Sequence, residues 1–150
     1  MVKVKICGIT NLEDALYSYF AGASALGFVF YKKSPRYISP AKAANIARIL
    51  PPKIKLVGVF VNEKASTVKK IAKLCGLGML QFHGSETQAY CSKFKGYKVI
   101  KAFRINKKDD LANISGYKTF AYLFDSFSKV SLGTSICRSI LSSIGPLIFF

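Results

Sequence analysis

Lys55-Leu56-Val57-Gly58-Val59-Phe60-Val61 is followed by Ala65-Ser66-Thr67-Val68-Lys69-Lys70-Ile71-Ala72-Lys73-Leu74, and then by Met79-Leu80-Gln81-Phe82. The first run is nearly all apolar and rich in β-branched residues, which suits a strand buried on both faces. The second reads as a helix closing near Gly76, and the third as another short strand. A strand, a helix and a strand within some 30 residues form a parallel β-α-β unit.

The same unit recurs on either side. Val2 to Ile6 reads as a first strand. Asn11 sits at the N-cap of a helix whose first turn carries Glu13 and Asp14, with Leu12, Leu16, Tyr19 and Phe20 at helical spacing and Gly22 at its end. Ala25 to Phe30 is a second strand. Ser39 caps a helix opened by Pro40 and stopped by Pro51-Pro52. Beyond Phe82, a fourth helix is expected over Glu86 to Phe94 and a fifth strand over Lys98 to Phe103. A short helix is expected around Asp110 to Ile114 and a sixth strand over Phe120 to Phe124. Ser139 to Ile144 reads as helical and Pro146 to Phe150 as a seventh strand. Residues 1–150 form one domain on this reading. Periodicity leaves two architectures open, an open doubly wound sheet and a closed barrel.

Composition limits the function classes. The chain has 150 residues, 51% hydrophobic and 20% charged, which argues for a packed core. No apolar run is long enough to span a bilayer and the N-terminus lacks signal-peptide features, so a cytoplasmic protein is expected. The net charge of +16 raises the possibility of nucleic-acid binding. The lysines are dispersed, however, with only doublets such as Lys32-Lys33, Lys69-Lys70 and Lys107-Lys108. The charge is read as a solvated basic surface that also attracts anionic substrates. No nucleic-acid or membrane partner is expected, and the oligomeric state is not legible. The cysteines Cys7, Cys75, Cys91 and Cys137 lack C-x-x-C spacing and His83 is the only histidine. Zinc has hardly any ligands here, and free thiols are expected.

In a parallel barrel the chemistry lies at the C-terminal strand ends. These ends carry Cys7-Gly8, the loop Ser34-Pro35-Arg36-Tyr37, Asn62, Gln81-Phe82-His83-Gly84, Arg104 and Asp125. A thiol and a carboxyl facing one pocket suit proton abstraction at a carbon and proton donation to an oxygen. Each residue also has a plain structural reading. A free cysteine is often a small buried hydrophobe, an aspartate after a strand can cap a turn, and a histidine at a strand end can be structural. Cys75, Cys91 and Cys137 read as packing.

Five segments together carry a family resemblance. They are Lys5-Ile6-Cys7-Gly8-Ile9-Thr10-Asn11-Leu12-Glu13-Asp14-Ala15, Gly27-Phe28-Val29-Phe30 with Ser34-Pro35-Arg36-Tyr37-Ile38-Ser39-Pro40, Val57-Gly58-Val59-Phe60-Val61-Asn62, Leu80-Gln81-Phe82-His83-Gly84-Ser85-Glu86, and Leu123-Phe124-Asp125-Ser126. In this order the chain resembles the phosphoribosylanthranilate isomerases of tryptophan biosynthesis, over residues 2 to about 129. The resemblance implies a parallel (β/α)8 TIM barrel and an Amadori rearrangement of N-(5-phosphoribosyl)anthranilate to 1-(2-carboxyphenylamino)-1-deoxyribulose 5-phosphate. It implies Asp125 as the general acid that opens the sugar ring and Cys7 as the base that removes the C2 proton. Arg36 is expected to hold the anthranilate carboxylate, and His83, Lys5 and Gln81 to line the substrate pocket. Lys5, two residues before Cys7 on the same strand face, is expected to favour the thiolate. Asp125 is expected to be buried and to keep its proton. No metal or organic cofactor is required.

Two departures stand out. Residues 129–138 replace a glycine-rich family loop, of which only Gly133-Thr134 survives, as a local deletion or frame slip would produce. The chain also ends at Phe150, where the family's C-terminal quarter continues with the loops after strands seven and eight. Those loops usually hold the phosphate. An incomplete barrel of about seven strands, poorly soluble alone, is therefore expected. The alternatives to an active isomerase are an inactive remnant and a basic binding protein on the same scaffold, the last of which predicts salt-sensitive nucleic-acid binding.

Overall fold

A computed structural model describes residues 3–105, 114 and 116–126. Six strands and four helices follow one another as β1 (Lys5–Cys7), α1 (Leu12–Phe20), β2 (Ala25–Val29), α2 (Pro40–Ile49), β3 (Lys55–Phe60), α3 (Ala65–Leu74), β4 (Met79–Phe82), α4 (Gln88–Cys91), β5 (Lys98–Ile105) and β6 (Ala121–Ser126). The strands make one sheet in the order β1-β2-β3-β4-β5-β6, and every neighbouring pair is parallel. A doubly wound sheet reverses its strand order at a switch point. This sheet never reverses, so it has the order of a barrel wall, and all its strands end on one side.

The local signals behave as expected at the helix starts. The Asn11 side chain accepts from the Asp14 N–H at 2.8 Å, and Ser39 Oγ accepts from the Lys42 N–H at 3.3 Å ahead of Pro40. Several boundaries move. Helix α4 covers Gln88–Cys91 with Thr87 as N-cap, shorter at both ends than the expected span from Glu86 to Phe94; at its start the Glu86 side chain is engaged with Lys101 of strand β5. Strand β1 begins at Lys5 rather than Val2, β2 ends at Val29 and β3 at Phe60. Strands β5 and β6 run on to Ile105 and Ser126, so Asp125 lies inside the ladder opposite Arg104 rather than beyond it. Most of the helix expected around Asp110 to Ile114, the helix at Ser139–Ile144, the strand at Pro146–Phe150, Cys137 and the departure at 129–138 lie outside the described residues.

Register sorts the strand residues onto two faces. One face packs under the helices. Leu26, Phe28, Phe60, Leu80 and Phe82 join Ala43, Ala44, Ile46, Val68, Ile71, Ala72 and Phe94 in the larger core. The other face carries a smaller apolar cluster of Val57, Met79, Ile100 and Ala121, flanked by Ala25 and Leu123. Cys7 pairs with Gly27, Gly27 with Val57, and Val57 with Met79. Gln81, two residues on from Met79, pairs with Ile100, which pairs with Ala121. Side chains repeat every second residue along a strand. Lys5, Cys7, Gly27, Gln81 and Asp125 therefore share the second face.

Candidate active site

At the end of β1 the chain turns through Gly8, whose φ of +89° suits glycine alone among ordinary residues. The Gly8 and Ile9 N–H groups both donate to the Gly27 carbonyl, at 2.9 and 3.0 Å, which locks this turn to β2. The absent side chain matters as much as the angle. A Cβ on Gly8 would lie 2.5 Å from Arg36 Cδ, so the arginine lies across the glycine. Its guanidinium donates from Nη1 to the Cys7 carbonyl at 3.2 Å. The loop before α2 holds Arg36 there, with its N–H donating to Ser34 Oγ at 3.2 Å and a bridge from Val29 to Tyr37.

Lys5 and Cys7 face Gly27. A Cβ on Gly27 would meet Cys7 Sγ at 3.0 Å and Lys5 Cε at 3.2 Å. Lys5 is buried (6% exposed), and Cys7 is half-buried and carries a free thiol. Burial holds the Lys5 ammonium below the ordinary lysine range. The charge of Cys7 and a hydrogen bond to it pull the ammonium back up, and Arg36 pushes it down. The two residues thus form a polar pair in a place that a larger residue at 27 would fill.

Further along the same face, at the ends of β4 and β6, His83 Nε2 lies 3.3 Å from Asp125 Oδ2. Gln81 Nε2 lies 3.2 Å from His83 Nδ1. The Asp125 side chain is 46% exposed, so the expected burial is not found, and His83 is 27% exposed beside it. Gln81 is almost fully buried (2%).

The turn that carries His83 is braced from behind by Lys101, to which the sequence reading assigned no role, together with Glu86 and Asn62. Lys101 on β5 donates to Glu86 Oε2 at 3.2 Å, to the Gly84 carbonyl at 2.7 Å and to the Ala102 carbonyl at 3.0 Å. The Glu86 carboxylate also accepts from the Asn62 N–H at 2.7 Å and the Gly84 N–H at 2.9 Å. Asn62 Oδ1 accepts from the Ser85 N–H at 2.8 Å. One buried ion pair therefore ties the ends of β3, β4 and β5 together. Its signal in the sequence was a lysine in the middle of an apolar strand, since charges there are rarely unpaired. Gly27 also had a signal, a glycine inside a strand, which marks close approach of another group.

Six of the six candidate residues thus fall on two groups at the C-terminal side of one sheet, Lys5, Cys7 and Arg36 around β1 and β2, and Gln81, His83 and Asp125 around β4 and β6. Among the described residues no group of three or more His, Cys, Asp or Glu could hold a metal ion. Among the same residues no helix is long and apolar enough to cross a membrane.

Comparison with known proteins follows the same geometry. The family model for N-(5'phosphoribosyl)anthranilate (PRA) isomerase matches residues 4–144. The N-(5'-phosphoribosyl)anthranilate isomerase of Citrifermentans bemidjiense is 53% identical over 133 residues, covering 89% of this chain and 64% of that protein. The enzyme of Thermotoga neapolitana is 50% identical over 132 residues, covering 87% of this chain and 63% of that protein. A crystal structure of phosphoribosyl anthranilate isomerase in complex with reduced 1-(o-carboxyphenylamino)-1-deoxyribulose 5-phosphate matches with a TM-score of 0.82 and 47% identity, covering 85% of this chain and 66% of that one. The chain spans about 64% of the length of the curated relatives it matches. On the family match, the relatives and the shared structure, the chain belongs to the N-(5'-phosphoribosyl)anthranilate isomerase family.

Proposed function

We propose that this protein catalyses the Amadori rearrangement of N-(5-phosphoribosyl)anthranilate to 1-(2-carboxyphenylamino)-1-deoxyribulose 5-phosphate, with Asp125 as general acid and Cys7 as general base. The observation that carries the reading is the placement of the thiol and the carboxyl on one face of the sheet, both at C-terminal strand ends. The proposal includes that the six described strands belong to the wall of a single (β/α)8 barrel domain. Closure of that barrel brings the sheet edges β1 and β6 toward a common mouth.

The steps use this chain's residues as follows. Asp125 gives its proton to the furanose oxygen, the bond from that oxygen to C1 breaks, and the anilino nitrogen supplies the electron pair of the resulting Schiff base. Cys7, as thiolate, removes the C2 proton, and the electron pair of that bond neutralises the iminium to give an enolamine. Ketonisation moves a proton to C1 and releases the one on the C2 hydroxyl, so substrate and product are isomers and no external oxidant enters. The buried Lys5 ammonium sits beside the Cys7 thiol, so the base works next to a cation. Arg36, exposed at the turn and anchored to the Cys7 carbonyl, receives the anthranilate carboxylate next to the reacting carbon. In barrels of this kind the phosphate sits on the loops after strands seven and eight, which lie beyond the described strands.

The free thiols of Cys7, Cys75 and Cys91 fit a reducing, cytoplasmic setting. The test is turnover of the fluorescent anthranilate substrate by the purified protein. The proposal expects turnover that Cys7→Ser and Asp125→Asn each reduce by a factor of about a hundred or more. Equal turnover in parent and both variants, or none in the parent, would remove it.

A further inference from the structure

We propose that Gln81 selects the tautomer of His83, and that His83 in turn holds the Asp125 carboxyl in its working orientation, so that Gln81 and His83 are positioning residues for the acid step. The proposal rests on the assignment of Asp125 as general acid given above.

Donor and acceptor chemistry sets the direction of the chain. An amide nitrogen only donates. Gln81 Nε2 at 3.2 Å from His83 Nδ1 therefore needs a lone pair on Nδ1. The single N–H of the neutral ring then sits on Nε2, 3.3 Å from Asp125 Oδ2, and donates to it. Turning the amide over would present Oε1 to Nδ1 and demand the opposite tautomer. The Nε2 lone pair would then face Asp125 and accept the proton that the acid step has to deliver to the furanose oxygen.

The burial of Gln81 says that this contact has a purpose. Gln81 is 2% exposed, with its Oε1 buried and without a hydrogen-bond partner among the described residues. A buried orphan acceptor is destabilising, and a methionine of similar size would avoid it. The reason for a polar residue here lies at the other end of the amide, on His83. The carboxyl it serves needs support, because Asp125 is 46% exposed and could otherwise turn toward water. A general acid must present its proton within hydrogen-bond reach of the accepting oxygen.

His83 is the only histidine of the chain, so its ring nitrogens can be observed by 15N NMR without assignment ambiguity. At a pH well above the ordinary imidazole range, the parent protein is expected to show the Nε2–H tautomer. Gln81→Met should return a tautomer mixture, and Gln81→Glu, which can only accept, should favour Nδ1–H. Both should lower kcat by roughly ten- to a hundredfold with KM changed far less. His83→Gln, which keeps a donor near Asp125, should retain more activity than His83→Ala. An Nδ1–H tautomer in the parent overturns the proposal even if the variants fail to fold. So does a tautomer unaltered in Gln81→Met, or an altered tautomer with unaltered kcat. A parent protein without turnover would instead refute the isomerase reading, and the tautomer experiment would still decide the role of Gln81.

Discussion

Replacing Lys101 by methionine tests how the turn that carries His83 is held. Lys101 and Glu86 have side chains only 3% and 2% exposed, with nitrogen and oxygen 3.2 Å apart. At that separation the attraction is about 5 kcal/mol for an effective dielectric of about 20. Methionine keeps most of the volume but leaves the Glu86 carboxylate buried and unpaired, and it removes the donor from the Gly84 and Ala102 carbonyls. Breaking one side of a buried pair costs about 3–5 kcal/mol. For a domain of this size, that lowers the melting temperature by roughly 6–20 °C. Urea unfolding of Lys101→Met, Glu86→Gln and the double variant gives the coupling directly. The double variant should be less destabilised than the sum of the single ones by more than about 1 kcal/mol. A Lys101→Met protein within about 1 kcal/mol of the parent, or strict additivity, would refute the claim that this pair braces the turn.

Three further outcomes follow from the geometry. Lys5→Met should slow alkylation of Cys7 by iodoacetamide at neutral pH while leaving stability equal or higher. Burial lowers the folded-state value of Lys5, so the charged lysine costs stability at neutral pH, and that cost fades as pH rises through the folded value toward the ordinary one. Slower alkylation with clear destabilisation would contradict this. Gly8→Ala should raise KM on the order of tenfold, because its Cβ would collide with Arg36 Cδ at 2.5 Å on a backbone of φ +89°; an unchanged KM counts against Arg36 as the carboxylate anchor. Tyr90, whose hydroxyl donates to the Glu63 carbonyl, is pushed up to about 12 by burial and by the charges of Glu86, Glu63 and Cys91. The folded state holds this proton more tightly than the unfolded one, so stability should decline from about pH 10 upward. Tyr90→Phe should flatten that decline in a pH series of urea melts, and an identical slope would exclude Tyr90 as its source.

The alternation of strands and helices was legible because each apolar run is short, β-rich and followed by a cap such as Asn11 or Ser39. The placement of Cys7 and Asp125 at strand ends followed from the same pattern. Periodicity could not choose between an open sheet and a barrel, since both use the same local units; the strand order decides that, and it is a property of pairing between strands distant in sequence. The shortening of α4 was hidden for a similar reason. Glu86 looks like a good first-turn residue, yet its carboxylate is drawn away to Lys101 and to the Asn62 and Gly84 N–H groups. Burial of Asp125 was expected from its place at a strand end, but the carboxyl is half-exposed there. The contact of His83 with Asp125 joins residues 42 positions apart, which no local pattern announces.

The most direct test of the account is a crystal structure of this protein with reduced 1-(o-carboxyphenylamino)-1-deoxyribulose 5-phosphate. The sulfur of Cys7 and a carboxyl oxygen of Asp125 should both lie within about 4 Å of the ligand's sugar-derived carbons and oxygens, with Arg36 on the benzoate carboxylate. A ligand bound elsewhere, or touching the thiol while the carboxyl stays far from it, would contradict the mechanism.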